Sequence, residues 1–294
     1  MNRIVKVSTV QPRYIVRRGP INEAISKNVN YACKFLQIAG EKKSDVVLLP
    51  EIFNVAGIRN KNIGRYLEDT KGETVKKIGE IARRYRMNII ASMLIHENSK
   101  IRNSAIFINR EGKVVGVYFK VHPTQVEKIE QNVIHGDRFN VFQLDFGSVG
   151  AMICHDNSFV ESARCLKLAG AEIIFWPHLQ SGWGDIVWDI TLRSRAIDNE
   201  VYIVSSSFSH KVKRCWNPGL IQGRSGIVGK DGFIITEVGR DEGVATAEID
   251  LNQPRITRYF TRPGAHRLWQ EMKKDRRPQA YRIISKTEDK FKRS

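Results

Sequence analysis

Three apolar runs of this chain each stop on a residue that can do chemistry: VVLLPE on Glu51, VVGVYFK on Lys120 and VGAMIC on Cys154. A carboxylate can carry a proton, an ammonium can hold developing negative charge, and a thiol can attack a carbonyl carbon. Brought together, Glu51 would take the proton of Cys154 and return it to a leaving amine. Lys120 would hold the oxyanion and favour the thiolate. Each residue taken singly could merely mark a strand leaving the core. The joint occurrence of three complementary groups is what points to a site. Cys154 is also the last residue of its run and is followed at once by His155, Asp156 and Asn157. A cysteine that only fills a core is expected deeper inside the apolar stretch.

Other chemistries find less support. The four cysteines, Cys33, Cys154, Cys165 and Cys215, are scattered without a CxxC pair, which argues against a zinc ribbon or a disulfide framework. The seven histidines form no HExxH or comparable pattern, so no metal site is expected. Neither is a cofactor, because thiol, carboxylate and ammonium together supply the proton transfers and charges that acyl transfer needs.

The elements that must position these groups are legible as short β-branched runs alternating with amphipathic segments. IVKVSTV, VVLLP, NIIASMLI, AIFIN, VVGVYFK, VGAMIC, EIIFWP and VYIVSSS read as strands. Helices are expected from about Asn22 to Ile38, Thr74 to Arg86, Phe159 to Ala169 and Ile186 to Asn199. NREGK and GKDGF place a glycine where a tight hairpin turn wants positive φ. Strands linked both by helices and by hairpins imply a mixed sheet covered by helices. The three reactive residues then sit at strand ends, where α/β folds collect their ligands. No low-complexity linker divides the chain, so one domain is expected over residues 1–270, followed by a basic, extended C-terminal tail over 271–294.

With 48 Lys and Arg against 31 acidic residues, the formal charge is +17. Such a surface can attract nucleic acid or an anionic membrane, but the basic residues are spread along the chain and no nucleic-acid-reading motif accompanies them. Specific nucleic-acid binding is therefore not expected. No apolar run approaches the roughly 18 residues that span a bilayer, and the N-terminus lacks a signal-peptide pattern. The expectation is a cytoplasmic protein without a membrane association.

Three blocks, LLPEIF (Leu48–Phe53), YFKVHPT (Tyr118–Thr124) and GAMICHDNSFVESARCLKLAGAEIIFWP (Gly150–Pro177), resemble the motif blocks of the nitrilase, or carbon–nitrogen hydrolase, superfamily. Their order matches, as do the trailing SRAIDNEVYIV, GRSGIVGKDG and ATAEIDLNQPR. The resemblance thus runs from about Val5 to Arg255. It implies an α/β fold built as a four-layer α-β-β-α sandwich that assembles as a homodimer or a higher even-numbered homo-oligomer. It makes Cys154 the nucleophile, Glu51 the general base and acid, and Lys120 the oxyanion stabiliser. A second glutamate follows the lysine in the family, which points to Glu127 in HPTQVE, with Glu130 as the alternative. The backbone N–H of His155 is implied as a second oxyanion donor.

The implied substrate is a small linear amide or N-carbamoyl compound, cleaved through a thioester with release of ammonia or amine. Nitrilases usually carry Trp-Glu after the cysteine, whereas Cys154 is followed by His155 and Asp156, closer to amidases. Asp156 could act simply by holding the turn through backbone hydrogen bonds. Asn157 and Ser158 stand where hydrolases of carbamoyl amino acids resemble a version with arginines, and Phe159-Val160-Glu161 replaces the usual Phe-Pro-Glu. Phe53, Asn54, Asn157, His178 and Leu179 are the substrate-binding candidates. Trp183 and Trp188 are candidates for a pocket wall, a subunit contact or the core. The rival readings are nitrile hydrolysis and a catalytically weak binding protein with a basic surface.

Overall fold

Period-two alternation of apolar side chains in the central strands sends every second residue into a different core. In β2 (Val46–Leu48), Val46 and Leu48 enter one cluster while Val47 and the following Leu49 enter another. Both faces are thus covered, which is why the run reads VVLL without a polar break. In the computed structural model, which describes residues 3–179, 187–209, 223–254, 256–259 and 262–285, this pattern is repeated across two six-stranded sheets.

The first sheet contains β1 (Ile4–Gln11), β2, β3 (Asn88–Glu97), β4 (Lys100–Ile108), β5 (Val114–Phe119) and, from much later in the chain, β12 (Gly243–Asp250). Its order is β12-β1-β2-β3-β4-β5, with β1, β2 and β3 parallel and Val7 opposite Val46. The second contains β6 (Val141–Leu144), β7 (Gly147–Ala151), β8 (Ile173–Pro177), β9 (Tyr202–Ser206), β10 (Gly226–Val228) and β11 (Ile234–Glu237). Its order is β11-β10-β9-β8-β7-β6, with β7, β8 and β9 parallel.

Three apolar clusters define four layers. One lies between the sheets, where Val7, Val46, Leu48, Phe107 and Tyr118 meet Val149, Ile173, Phe175 and Val204. A second packs α1 (Ile21–Glu41) and α2 (Glu73–Tyr85) on the outer face of the first sheet through Val29, Leu36, Ile78 and Ala82. The third packs α4 (Val160–Leu168) and α5 (Arg193–Asn199) on the second sheet, where Leu166 and Ala196 meet Ile174 and Trp176. Burying a side chain such as Leu166 contributes roughly 2 kcal/mol. The layer order is α-β-β-α, as the resemblance implies.

The expected helices and hairpins appear near their anticipated bounds, with one difference. The segment expected as a single helix up to Asn199 begins, within the described residues, as a π-helix over Val187–Leu192 before becoming α-helical. The turns at Gly112 and Gly232 have φ of 76° and 80°. A Cβ on Gly112 would lie 2.3 Å from the Gly79 carbonyl oxygen in α2, so this glycine also allows the β4–β5 hairpin to touch the helix layer.

By contacts the chain divides into Met1–Asn252 and Gln253–Ser294. The second unit holds a hairpin of β13 (Ile256–Tyr259) and β14 (Arg262–Arg267), then α6 (Leu268–Asp275) and a 3-10 segment, Pro278–Ser285. The stretch after Gln270, expected to be extended, is therefore partly helical. LWQEMKKD contains neither glycine nor proline and favours helix locally. Among the described residues no helix is long and apolar enough to cross a membrane.

Candidate active site

The carboxyl ends of β2, β5 and β7 open onto one place, and the residues just past them meet there. Lys120 Nζ lies 2.8 Å from Oε1 of Glu51 and 2.8 Å from Oε2 of Glu127, with its side chain 1% exposed. The Asn103 amide nitrogen donates to Glu51 Oε1 at 2.8 Å and to Glu127 Oε1 at 2.7 Å. Glu51 Oε2 accepts the backbone N–H of Leu179 at 2.8 Å. A buried ammonium is tolerable only when its charge is matched, and here two carboxylates match it and take two of its three donors.

Glu127 is aimed by a short helix. Thr124 starts α3 (Gln125–Glu130) with a capping box: its hydroxyl accepts the Glu127 N–H at 3.3 Å, and its own N–H donates to Glu127 Oε2 at 2.7 Å. Glu130, at the other end of the helix, instead lines a neighbouring cavity of about 880 Å³. Burial alone would raise the Glu127 carboxyl, but the Lys120 charge and hydrogen bonds from Lys120, Asn103 and Thr124 hold it below the usual carboxylate range. For Lys120, burial works against the charge, yet the neighbouring Glu51, Cys154 and Glu127 push its titration well above the ordinary lysine range.

Cys154 sits at φ 43°, a strained value for a residue with a Cβ, and opens a 3-10 turn over Cys154–Ser158. Ile52, directly after Glu51, has the same φ of 43°. Strained backbone thus occurs both at Cys154 and directly after Glu51. The elbow is pinned from two sides: Trp176 Nε1 donates to the Cys154 carbonyl at 3.0 Å, and Asp156 Oδ2 accepts the Ile153 N–H at 2.8 Å. Asp156 is fully buried and also accepts from Tyr118 Oη at 2.7 Å and from the N–H and Nδ1 of His122. It therefore holds the turn.

Burial, reinforced by the Glu51 charge, pushes the Cys154 thiol far above its ordinary range; Lys120 and the Leu179 N–H only partly oppose this. The expected thiolate-favouring effect of Lys120 does not dominate at rest. Burial thus favours the protonated thiol, and the Glu51 carboxylate beside it is placed where a base could take that proton.

The thiol opens on a cavity of about 690 Å³ whose wall includes His155, Asn157, Leu179, Thr191 and Arg195. Of the substrate-binding candidates, Asn157 and Leu179 line it. Phe53, Asn54 and His178 do not. Phe53 packs in the outer core of the first sheet, and Asn54 staples its loop to β3, exchanging hydrogen bonds with the backbone of Leu94. His178 is fully buried, stacks on Trp176 at 3.9 Å and has no side-chain hydrogen bond among the described residues; burial pushes it down to about 3. Trp188 is core, under the Arg224 guanidinium, whereas Trp183 and Cys215 lie outside the described residues. Asn103 and Arg195 went unnoticed in the sequence, although an asparagine inside the strand KIRNSAIFI is a visible anomaly. Arg195 donates to the Asn157 carbonyl at 3.2 Å. Among the described residues no cluster of histidine, cysteine, aspartate and glutamate suits a metal ion.

A buried thiol with a carboxylate and an ammonium beside it, at the strand ends of a double-sheet sandwich, is a constellation that can carry out acyl transfer. Residues 6–259 match the carbon-nitrogen hydrolase family, and the chain belongs to it. Among curated relatives it is 29% identical to omega-amidase NIT2 of Xenopus tropicalis over 235 residues, 77% of this chain and 84% of the relative. It is 28% identical to the human omega-amidase NIT2, over 79% of this chain and 86% of that one. In fold it is similar to a carbon-nitrogen hydrolase from Helicobacter pylori, with TM-score 0.73, 21% identity and coverage of 97% of this chain and 99% of that one. It is likewise similar to an amidase from Nesterenkonia, with TM-score 0.75, 17% identity and coverage of 96% and 97%.

Proposed function

We propose that this hydrolase cleaves a small linear amide or N-carbamoyl compound through a thioester on Cys154, releasing ammonia or an amine. The observation that carries the reading is the buried thiol on a strained elbow, hydrogen-bonded to Glu51, whose Oε2 accepts the backbone N–H of Leu179. Glu51 Oε2 accepts the thiol proton as sulfur bonds to the substrate carbonyl carbon. The carbonyl oxygen takes up the electron pair. Lys120 spends two of its three donors on Glu51 and Glu127 and turns the third to this oxyanion, with the His155 backbone N–H as partner. Glu51 then protonates the departing nitrogen as the C–N bond breaks. In the second half Glu51 deprotonates water, the hydroxide so formed attacks the thioester carbon, and Glu51 returns the proton to sulfur as the C–S bond breaks.

The omega-amidase relatives support an amide over a nitrile. Ammonia release measured with matched amides, N-carbamoyl compounds and nitriles, together with the intact mass of the protein during turnover, tests the reading. A mass increase equal to the acyl fragment on Cys154 is expected with an amide; turnover of the nitrile alone would overturn it. An even-numbered homo-oligomer and a cytoplasmic location belong to the same proposal. The exposed Val160 on α4 and Ile190 are apolar surface that a second copy would cover, and sedimentation equilibrium checks the assembly.

A further inference from the structure

Glu51 and Glu127 are bridged twice, once by Lys120 Nζ and once by the amide nitrogen of Asn103. Asn103 lies in β4, is 2% exposed, and its backbone carbonyl accepts the Lys120 N–H at 2.9 Å. Its side chain faces two carboxylates, which when ionised can only accept, so the NH₂ must point toward them. Its Oδ1 is left buried with no protein partner among the described residues. An unmatched buried acceptor is destabilising. The position thus gives up stability to deliver two donors to the two glutamates.

From this geometry we infer that Asn103 is a positioning residue of the reaction, fixing which oxygen of Glu51 moves the proton. Oε1 of Glu51 accepts from both Lys120 and Asn103, whereas among the described residues the one nitrogen donor to Oε2 is the Leu179 N–H, and the Cys154 thiol also hydrogen-bonds the carboxylate. The less encumbered Oε2 is therefore the more basic oxygen, since each donated hydrogen bond draws charge from the atom that receives it. The same amide keeps Glu127 turned toward Lys120 and ionised, so that the ammonium stays between two negative charges. Without Asn103, Glu51 would be free to rotate, and the two carboxylates would compete for one cation. This inference rests on the proposed role of Glu51 as the proton carrier.

Two variants separate positioning from packing. Asn103→Leu keeps the volume and removes both donors. Asn103→Asp keeps the shape but adds a third carboxyl, which regains one donor only when protonated. The reporters are amide turnover and the rate at which iodoacetamide alkylates Cys154, read by peptide mass spectrometry across pH. In alkylation the sulfur displaces iodide and its proton passes to Glu51, so no substrate identity is assumed. The groups facing Asn103 and able to titrate are Glu51, Glu127 and Lys120, with Cys154 and His155 on the adjoining elbow.

The Leu variant is expected to lose on the order of 10- to 100-fold in kcat with KM within a few-fold. Its alkylation should begin to fall at a higher pH than in the wild type. The Asp variant should be slower still at neutral pH, but its rate relative to wild type should rise as the pH is lowered. A folded Leu variant with wild-type kcat and alkylation profile would overturn the inference. So would an Asp variant whose relative rate does not change with pH, and this isosteric variant decides alone if the Leu protein does not fold. If the wild type hydrolyses no amide or carbamoyl compound, the functional reading fails, while the alkylation profiles still judge Asn103.

Discussion

The ammonium of Lys120 and the carboxylate of Glu51 meet at 2.8 Å with side-chain exposures of 1% and 5%. Two ions so far from water depend on each other and on Glu127. Replacing the lysine even by another cation should therefore be costly. Lys120→Arg is expected to lose on the order of 100- to 1,000-fold in turnover. A planar guanidinium is too broad to reach both glutamates and still point one donor at the oxyanion. Steady-state ammonia release checks this, and activity within a few-fold of wild type would remove Lys120 from the mechanism.

Cys154→Ala should abolish turnover and thioester formation while the circular dichroism spectrum remains that of the wild type, because the side chain lost is small. Cys33→Ala and Cys165→Ala should retain activity. Cys33 lies in the core between α1 and the first sheet, away from the elbow. Loss of activity in either control, with the fold intact, would mean the nucleophile has been misassigned.

The two glutamates should fail differently. Glu51→Gln keeps the size and can still accept from Lys120, but cannot take a proton, so neither half-reaction proceeds. Glu127→Gln disturbs the placement of Lys120 but leaves the proton carrier in place, and some thioester should accumulate on prolonged incubation. Intact-protein mass spectrometry after mixing with substrate distinguishes them. Acylated Glu51→Gln beside unmodified Glu127→Gln would reverse the two roles.

His178 links acid stability to the wall behind the nucleophile. Burial holds it at about 3 in the folded chain, against 6.5 when exposed. As the pH falls below 6.5 the unfolded chain takes up a proton that the folded chain refuses, so stability is lost in the window from 6.5 toward 3. The slope from this residue approaches about 1.4 kcal/mol per pH unit. Urea unfolding at pH 7 and about pH 5.5 should show His178→Phe losing about 1 kcal/mol less than the wild type across that interval. Equal losses in the two proteins would exclude this account. The aromatic replacement keeps the stack on Trp176.

Much of the fold was legible locally. The strands VVLLP, NIIASMLI and EIIFWP show as short apolar, β-branched runs, and α1 and α2 begin and end close to the expected residues. Glu127 was reached through the resemblance, with Glu130 as the alternative; the structure adds the capping box of TQVE, which turns Glu127 toward Lys120. The pairing of β12 with β1, with Ile4 opposite Asp250, was not readable, because strand neighbours so far apart leave no local period.

The sequence by itself determined which groups stand at strand ends, because a strand must stop where its apolar run stops and the next polar side chain emerges there. Glu51, Lys120 and Cys154 were singled out by that rule, and their roles by the resemblance of the blocks around them. What lies beside them was decided only by the tertiary structure. Phe53, Asn54 and His178 occupy loop positions as suggestive as those of Asn157 and Leu179, yet they point into the core, a backbone staple and a tryptophan stack. Asn103 comes from the middle of a strand and reaches both glutamates. Side-chain direction in a loop, and the choice of which buried donor meets which carboxylate, depend on packing between segments distant in sequence, and no local pattern records that.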